Sequence, residues 1–295
     1  MIRRRTKNGP AHLTGILTLY RSTAIIDSRT ILTRWEYRFL IDGVFVPKDN
    51  YSVGKEIVLQ KLEEHKARIL IRKETSDSES NVARDMANEL VVDFLSAYLA
   101  AGGYTGLTPR LIKDEGGSGY SRSGSQTIAD GEIRRFTVYK PMSEEDSLRA
   151  LNETNDLLES SQCEESLRLA LRQYYQALLA NRAPDKFLLY FIALEALYMT
   201  GIEELSYRLS QRIALMLGDS EERRNVIFQD IRKLYAKRGK IVHGYVTKPS
   251  KEEVDSLGKY VRESILKFHQ FKRKGLSKDK VIELLEDIWK TAKTM

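Results

Sequence analysis

The sequence predicts a mixed α+β domain over residues 1–140, followed by an all-α helical bundle over residues 141–295. Three observations lead to this fold class. Segments rich in β-branched and aromatic residues are concentrated in the first part of the chain. From Ser143 onward, apolar residues recur at helical spacing almost to the C terminus. A chain of 295 residues is also long for one compact domain, so two domains are expected.

The first region contains four predicted strand segments and one predicted helix. The strand segments read GILTLYRSTAII, TILTRWEYRFLI, YSVGKEIVLQKL and KARILIRKE. The pair Asp42-Gly43 after the second segment is typical of a turn. The helix is predicted from Asn81 to Ala101, and Gly102-Gly103 ends it. Its predicted apolar face, at a spacing of four, consists of Met86, Leu90, Phe94 and Tyr98.

The segment from Asp114 to Glu132, DEGGSGYSRSGSQTIADGE, is predicted to be a flexible loop because glycine and serine predominate in it. A phosphate-binding loop would need a Gly-Lys-Ser/Thr and a helix start directly after the glycines, and the segment has neither. The following IRRFTVYK is predicted to be the last strand, and Pro141 closes the region.

The second region is predicted to consist of helices with short connections, which is typical of a bundle. Three pairs have the spacing of helix-capping pairs, Ser143 with Asp146, Asp219 with Glu222 and Ser250 with Glu253. The predicted buried faces are, in chain order, Leu167, Leu171, Tyr174 and Leu178; Phe187, Phe191, Leu194 and Tyr198; Leu205, Leu209, Ile213 and Leu217; Val226, Ile227, Ile231 and Leu234; Leu257, Val261, Ile265 and Phe268; and Val281, Leu284, Leu285 and Ile288.

The bulk composition narrows the class of protein. The formal net charge of +7 agrees with an anionic partner without requiring one. Cys163 is the single cysteine, which excludes an internal disulfide and a cysteine-rich metal site and favours a reducing, cytoplasmic location. No apolar run is long enough for a signal-peptide core or a membrane span, so no membrane partner is expected. His12, His65 and His269 lie far apart in the sequence, so neither a metal site nor a cofactor is expected.

The most one-sidedly basic segment of the chain contains one of its four histidines. It reads LYAKRGKIVHGYV, Leu234 to Val246, and no acidic residue occurs from Ile231 to Ser250. His243 follows Arg238 by five positions, which corresponds to about 140° around an ideal helix. The two side chains would share a face only if the helix broke at Gly239. Without a break, His243 would be a helix-terminal histidine that interacts favourably with the helix dipole, and the cations would form a solvated face.

Arg238 and His243 fit the pattern Arg-x4-His, which resembles the signature of the HEPN superfamily, helical domains many of which are metal-independent ribonucleases. The context is similar to that of Apea-like HEPN domains, in which segments like LRLALRQYYQALLA, DKFLLYFIALEALY and IRKLYAKRGKIVHG occur in this order. The resemblance covers roughly Ser143 to Phe271, about half the chain. Many members carry a polar residue where this chain has Gly239. The resemblance implies an all-α HEPN-like bundle that forms a homodimer.

The residue types suit RNA cleavage without a metal ion. The reaction needs a base for the 2′-hydroxyl, an acid for the leaving 5′-oxygen and a cation for the charge on the phosphorane. Histidine titrates near neutral pH and can perform either proton transfer, whereas arginine offers a permanent planar fork to phosphate oxygens. One histidine cannot easily be both acid and base in a single step, so two copies that face each other across a two-fold axis would complete the site. Arg238 and His243 are therefore the predicted catalytic residues, and Lys237 and Lys240 the predicted RNA-binding residues.

Tyr245 and Glu195 are further candidate site residues, for a modification site or an accessory role. Tyr245 extends the pattern to Arg-x4-His-x-Tyr, which is similar to HEPN toxins whose tyrosine is adenylylated by a partner nucleotidyltransferase antitoxin; the alternative is a tyrosine that packs at the helix end. Glu195 interrupts the apolar face FIALEALY and, if buried, must pair with a cation such as Arg212 or Arg238. The resemblance thus implies an RNA endonuclease in a defence or toxin–antitoxin setting. The alternative is a non-catalytic HEPN-type module that binds RNA or protein, or that only dimerises.

Overall fold

The computed structural model describes residues 23–26, 30–42, 44, 46–54, 56–62, 66–76, 80–102, 110–112, 143–201, 205–245 and 248–294. The chain divides into two compact units. One unit consists of Met1–Val91 and Thr105–Ser147, and the other of Val92–Tyr104 and Leu148–Met295. A sheet and one helix come first and a series of helices follows. The prediction of an α+β region followed by a helical region is therefore confirmed at this level.

The described strands are β1 Thr23–Ile26, β2 Thr30–Asp42, β3 Asn50–Val53, β4 Ile57–Lys61, β5 Lys66–Ser76 and β6 Arg110–Ile112. They form one antiparallel sheet in the order β1-β2-β5-β4-β3, and β6 pairs with the end of β2. The long central pair runs from Leu32 opposite Ser76 to Asp42 opposite Lys66.

The segment predicted as YSVGKEIVLQKL is a hairpin in the structure. β3 ends at Val53 and β4 begins at Ile57, and Gly54 between them has a φ of +61°, a conformation that glycine adopts without a steric penalty. Val53, Ile57 and Leu59 are buried, and the alternation along β4 places one face of the sheet in the core. Residues 15–22 of the predicted segment GILTLYRSTAII, the segment IRRFTVYK, the loop over residues 114–132 and Gly43 lie outside the described residues, whereas the last four residues of the first segment form β1.

The predicted first helix exists as α1, Ser80–Ala100, but its buried face is only partly the predicted one. Phe94 is fully buried, whereas Met86 is 48% exposed. A step of four residues overshoots a full turn by about 40°, so four positions at this spacing drift around the helix. Ala87 and Val91 are buried instead of the earlier predicted positions.

From residue 143 onward, the described chain forms seven helices. They are α2 Glu144–Gln162, α3 Glu165–Leu179, α4 Ala183–Tyr198, α5 Leu205–Leu217, α6 Glu221–Val242, α7 Lys251–Arg273 and α8 Lys278–Thr294. The sequence analysis predicts six buried faces and places no boundary between α2 and α3. The chain leaves the helix at Cys163 and re-enters it after Glu164, the N-cap of α3, although no glycine or proline marks the break.

Two of the three predicted capping pairs are confirmed. The Asp146 N–H donates to the Ser143 hydroxyl oxygen at 3.0 Å, and that hydroxyl donates to an Asp146 carboxylate oxygen at 2.8 Å. Ser250 and Glu253 form a full capping box at the start of α7, in which each side chain accepts from the other residue's backbone N–H. The start of α7 is therefore fixed by its own sequence.

The prediction for the start of α6 is wrong by one residue. Ser220, and not Asp219, is the N-cap, and its hydroxyl accepts the Arg223 N–H at 3.2 Å. Serine and aspartate are comparably good N-cap residues, so the sequence alone does not decide between Asp219 and Ser220. Val226, predicted to be buried, is 50% exposed.

Helices α4 and α7 each contribute a fully buried face to the core of the helical unit. All residues of both predicted faces are buried: Phe187, Phe191, Leu194, Tyr198, Leu257, Val261, Ile265 and Phe268. The Tyr198 hydroxyl donates to the Ser264 hydroxyl at 2.9 Å across this contact. Gly258 of α7 allows the closest approach, because a Cβ there would lie 2.9 Å from the Tyr190 hydroxyl oxygen. On α8, Leu284 and Ile288 are exposed although the sequence predicts them in a buried face.

The C-terminal part of α1 belongs to the helical unit and is held there by charge. Asp93 is buried and accepts from Arg168 at 3.1 Å and from Arg172 at 2.5 Å, both on α3. The Arg262 guanidinium of α7 donates to the carbonyl of Ala100 at 3.0 Å, at the end of α1. None of the described helices combines the length and the apolarity needed to cross a membrane.

Candidate functional site

Helix α6 runs without interruption through Gly239 to Val242. His243 is the C-cap, and its N–H donates to the carbonyl of Gly239 at 3.0 Å. Because the helix does not break, Arg238 and His243 point about 140° apart around it. A Cβ at Gly239 would meet nothing within 4 Å, so no contact among the described residues requires glycine there.

The guanidinium of Arg238 is held from two sides. Its Nη2 atom lies 3.2 Å from Oε1 and 3.3 Å from Oε2 of Glu195 on α4. Its central carbon lies 5.2 Å from the ring centroid of Tyr235, a cation–π contact. Tyr235 precedes Arg238 by three residues, which places both on one side of α6. The Arg238 side chain is still 26% exposed, so the charge is anchored at the surface.

Glu195 connects the arginine to the tyrosine. The Tyr235 hydroxyl donates to Glu195 Oε1 at 3.1 Å, and its ring packs against Phe191 at a centroid distance of 5.3 Å in a T-shaped contact. Burial, followed by the negative charge of Glu195, raises the pKa of Tyr235, so the phenol stays a proton donor. The Arg238 Nε atom is buried and has no hydrogen-bond partner among the described residues.

The predicted pairing of Glu195 with a cation is confirmed, and the partner is Arg238. The other candidate, Arg212, is buried and instead pairs with Glu286 of α8. It also donates to the backbone carbonyl of Tyr198 at the end of α4. Arg212 therefore joins three helices and takes no part in the site.

Lys237, a predicted RNA-binding residue, is engaged within the chain. Its Nζ atom lies 2.5 Å from both carboxylate oxygens of Glu253, the capping-box residue of α7. The hydrogen bond from Lys237 is the main cause that lowers the pKa of Glu253. The contact joins α6 to α7, as does the hydrogen bond from Tyr260 to Asp230 at 3.0 Å. Lys237 is thus a structural residue in the single chain.

The remaining predicted residues lie exposed at the C-terminal end of α6. Lys240 and His243 are exposed, and Tyr245 is 67% exposed, so this tyrosine does not pack at the helix end within the chain. Val242, between them, is 54% exposed. The helix end therefore offers a basic group, an imidazole, a phenol and an aliphatic side chain to a partner.

The structure brings Arg238 of α6 and Glu195 of α4 together. His243, at the end of α6, does not join them. The sequence analysis missed Tyr235 as the second anchor of Arg238 and Glu253 as the partner of Lys237. The spacing of three between Tyr235 and Arg238 could have indicated the first contact. The second depends on the packing of α6 against α7, which no local pattern encodes.

Comparison of the chain with protein-family models, with curated proteins and with solved structures finds no match. The resemblance to HEPN domains therefore stays a prediction, and function is inferred from the geometry of the site.

Proposed function

We propose that this chain is a metal-independent RNA endonuclease that acts as a dimer, with Arg238 and His243 of both copies forming one composite site. The HEPN resemblance implies a defence or toxin–antitoxin setting for such an enzyme. The observation that carries the proposal is the anchored arginine, since Glu195 and Tyr235 fix a guanidinium at the surface of the helix whose exposed end carries His243.

The proposed role of Arg238 is to stabilise negative charge on the phosphorane. A guanidinium that is already oriented needs no reorganisation when the charge develops, which is the condition for effective electrostatic stabilisation. Glu195 binds only one terminal nitrogen of the fork and leaves other donors for phosphate oxygens. Glu195 and Tyr235 are then positioning residues.

The proposed role of His243 is proton transfer. One imidazole removes the 2′-hydroxyl proton while the 2′-oxygen attacks phosphorus, and a second imidazole protonates the 5′-oxygen as the phosphorus–oxygen bond breaks. The products are a 2′,3′-cyclic phosphate and a 5′-hydroxyl. Arg238 and His243 lie on different sides of one α6, so a second copy that supplies the facing histidine suits the geometry better than a site within one chain.

The proposed RNA contacts come from Lys240 and Lys237. Lys240 is exposed and free to approach the backbone phosphates. Lys237 has to exchange Glu253 for a phosphate. Tyr245 is exposed enough for its hydroxyl to attack the α-phosphorus of ATP on a partner nucleotidyltransferase, with release of pyrophosphate, which would switch the site off.

RNA cleavage by the wild-type chain and by His243→Ala tests the proposal directly. We expect cleavage by the wild type to persist in EDTA, to leave 2′,3′-cyclic phosphate ends and to be lost in His243→Ala. Cleavage that requires added magnesium or manganese, or that is unchanged in His243→Ala, would place the active site elsewhere.

The second candidate function is a non-catalytic module that binds RNA or protein. It is favoured by the pairing of both Arg238 and Lys237 with carboxylates of their own chain. In that case no preparation cleaves RNA, and Arg238→Ala and Lys240→Ala weaken RNA binding to a similar extent.

A further inference from the structure

A buried histidine faces two carboxylates of a neighbouring helix in the second unit. His269 of α7 is 1% exposed, and Glu153 and Asp156, three residues apart on α2, lie on one side of that helix. One ligand atom from each of the three residues lies within 4.8 Å of the others. The sequence predicts no metal site, because that prediction rests on His12, His65 and His269, which lie far apart in the chain.

The orientation of the imidazole leaves one nitrogen facing the carboxylates. Nδ1 lies 2.9 Å from the hydroxyl of Ser160, which is itself buried on α2. Nε2 is buried, has no hydrogen-bond partner among the described residues and lies 3.4 Å from Oε1 of Glu153. When Nδ1–H donates to Ser160, the Nε2 lone pair points at a carboxylate, and two acceptors then face each other with no proton between them. A hydrogen bond from the second nitrogen is the usual means of fixing a metal-bound histidine.

The donor types and the one distance between His269 and Glu153 fit Zn²⁺. Two ligand atoms at about 2.0–2.1 Å from a tetrahedral zinc ion lie about 3.3 Å apart, close to the distance between His269 Nε2 and Glu153 Oε1. One imidazole and two carboxylates form a mixed set that suits zinc, whereas calcium and magnesium prefer oxygen atoms alone.

We propose that Glu153, Asp156 and His269 form a Zn²⁺ site that ties α2 to α7. Both carboxylates are half-buried and reach solvent, so the ion has an entry path and water can occupy the fourth position. One group competes with the ion, because the Arg273 guanidinium lies 3.3 Å from Asp156. Zinc binding therefore requires Arg273 to leave Asp156, while Glu153 and His269 stay as they are.

Calorimetric titration of the chelator-treated full chain with zinc chloride tests the site. We expect one ion per chain and a higher melting temperature with zinc than without it. Glu153→Gln and Asp156→Asn should each weaken zinc binding at least tenfold, because each removes a charged ligand. Glu159→Gln, an exposed carboxylate on the same helix, is the matched control and should bind as the wild type does.

Two further variants separate a built site from its alternatives. Arg273→Gln should tighten zinc binding several-fold, since it frees Asp156. If Arg273 only stabilises the helix end, the same change lowers the melting temperature and leaves zinc affinity unchanged, which would overturn the proposal.

Loss of zinc binding in Cys163→Ser, with Glu153→Gln unaffected, would assign the ion to the exposed cysteine. Equal affinity of the wild type and Glu153→Gln would leave His269 as a hydrogen-bonded core residue. RNA cleavage is not needed for any of these readouts.

Discussion

Arg238 is the residue on which the proposed chemistry depends most directly. If it stabilises the phosphorane, Arg238→Ala should reduce turnover by roughly two to three orders of magnitude, since loss of one preorganised donor costs about 3–4 kcal/mol. Arg238→Lys keeps the charge but loses the planar fork and should recover little activity. Lys240→Ala is the matched control and should mainly weaken RNA binding and flatten its salt dependence. Single-turnover cleavage at two salt concentrations measures both quantities, and equal small effects of Arg238→Ala and Lys240→Ala would contradict the catalytic role.

The ion pair between Lys237 and Glu253 predicts a specific dependence of stability on acid pH. The folded-state pKa of Glu253 lies below its unfolded value, so its contribution is present above the unfolded pKa and is lost as pH falls through the folded pKa. Lys237→Met removes the main cause of this shift and should lower the free energy of unfolding at pH 7 by about 0.5–1 kcal/mol. The difference from the wild type should become smaller at pH 3, because this pH lies below the unfolded-state pKa of Glu253.

Urea unfolding at both pH values measures the contribution of Lys237. Lys240→Met, at an exposed position of the same helix, should match the wild type throughout. A destabilisation by Lys237→Met that persists unchanged at pH 3 would mean that the lysine stem, and not the ion pair with Glu253, stabilises the contact.

Residue-scale prediction from sequence succeeded where a side chain conflicts with its local surroundings. Glu195 stands in an apolar helix face, and that conflict was enough to predict a cationic partner. Lys237 and His269 show the opposite case, because nothing in the local sequence conflicts with a solvated lysine or a core histidine. Their partners lie on other helices, and only the packing of those helices brings them together.

At the scale of the helices, Gly258 in α7 and Gly239 in α6 should respond in opposite ways to replacement by alanine. Gly258→Ala in α7 places a Cβ 2.9 Å from the hydroxyl oxygen of the buried Tyr190, so overpacking should cost about 1–3 kcal/mol. Gly239→Ala in α6 places a Cβ in open space and should stabilise the chain by about 0.5–1 kcal/mol, because alanine loses less entropy in a helix. Urea unfolding of both variants measures the difference, and a loss of stability in Gly239→Ala would mean that a contact covers that position.

Helix existence was well predicted, while helix faces and breaks were predicted less well. The faces of α4 and α7, which have mixed spacings of three and four, are confirmed in full. The face of α1 was read at a spacing of four alone, and it therefore includes the exposed Met86. The break at Cys163 carries no glycine or proline, so the predicted helices have one boundary too few.

On the scale of the whole molecule, the two compact units are not two consecutive stretches of chain. The sequence places the boundary after residue 140, where the composition changes, whereas the second unit also contains Val92–Tyr104. In this segment the buried Asp93 pairs with Arg168 and Arg172 of α3, and Phe94 and Tyr98 are fully buried. A change in composition marks where strand-like sequence gives way to helical sequence, but it does not show which unit a helix packs against.

Dimerisation decides whether the composite site can exist. If two copies meet over the C-terminal ends of α6, the exposed Val242 becomes buried beside His243 of the partner. Val242→Asp would then bury an unpaired charge and should raise the dimer dissociation constant at least tenfold. The rate of RNA cleavage should fall by a similar factor. Val226→Asp is the matched control, since this valine lies near the other end of α6 and is about equally exposed. Sedimentation at tens of micromolar should show a dimer for the wild type and for Val226→Asp, and mainly monomer for Val242→Asp. A monomeric wild type that still cleaves RNA would reject the two-copy mechanism and require both proton transfers to come from one chain.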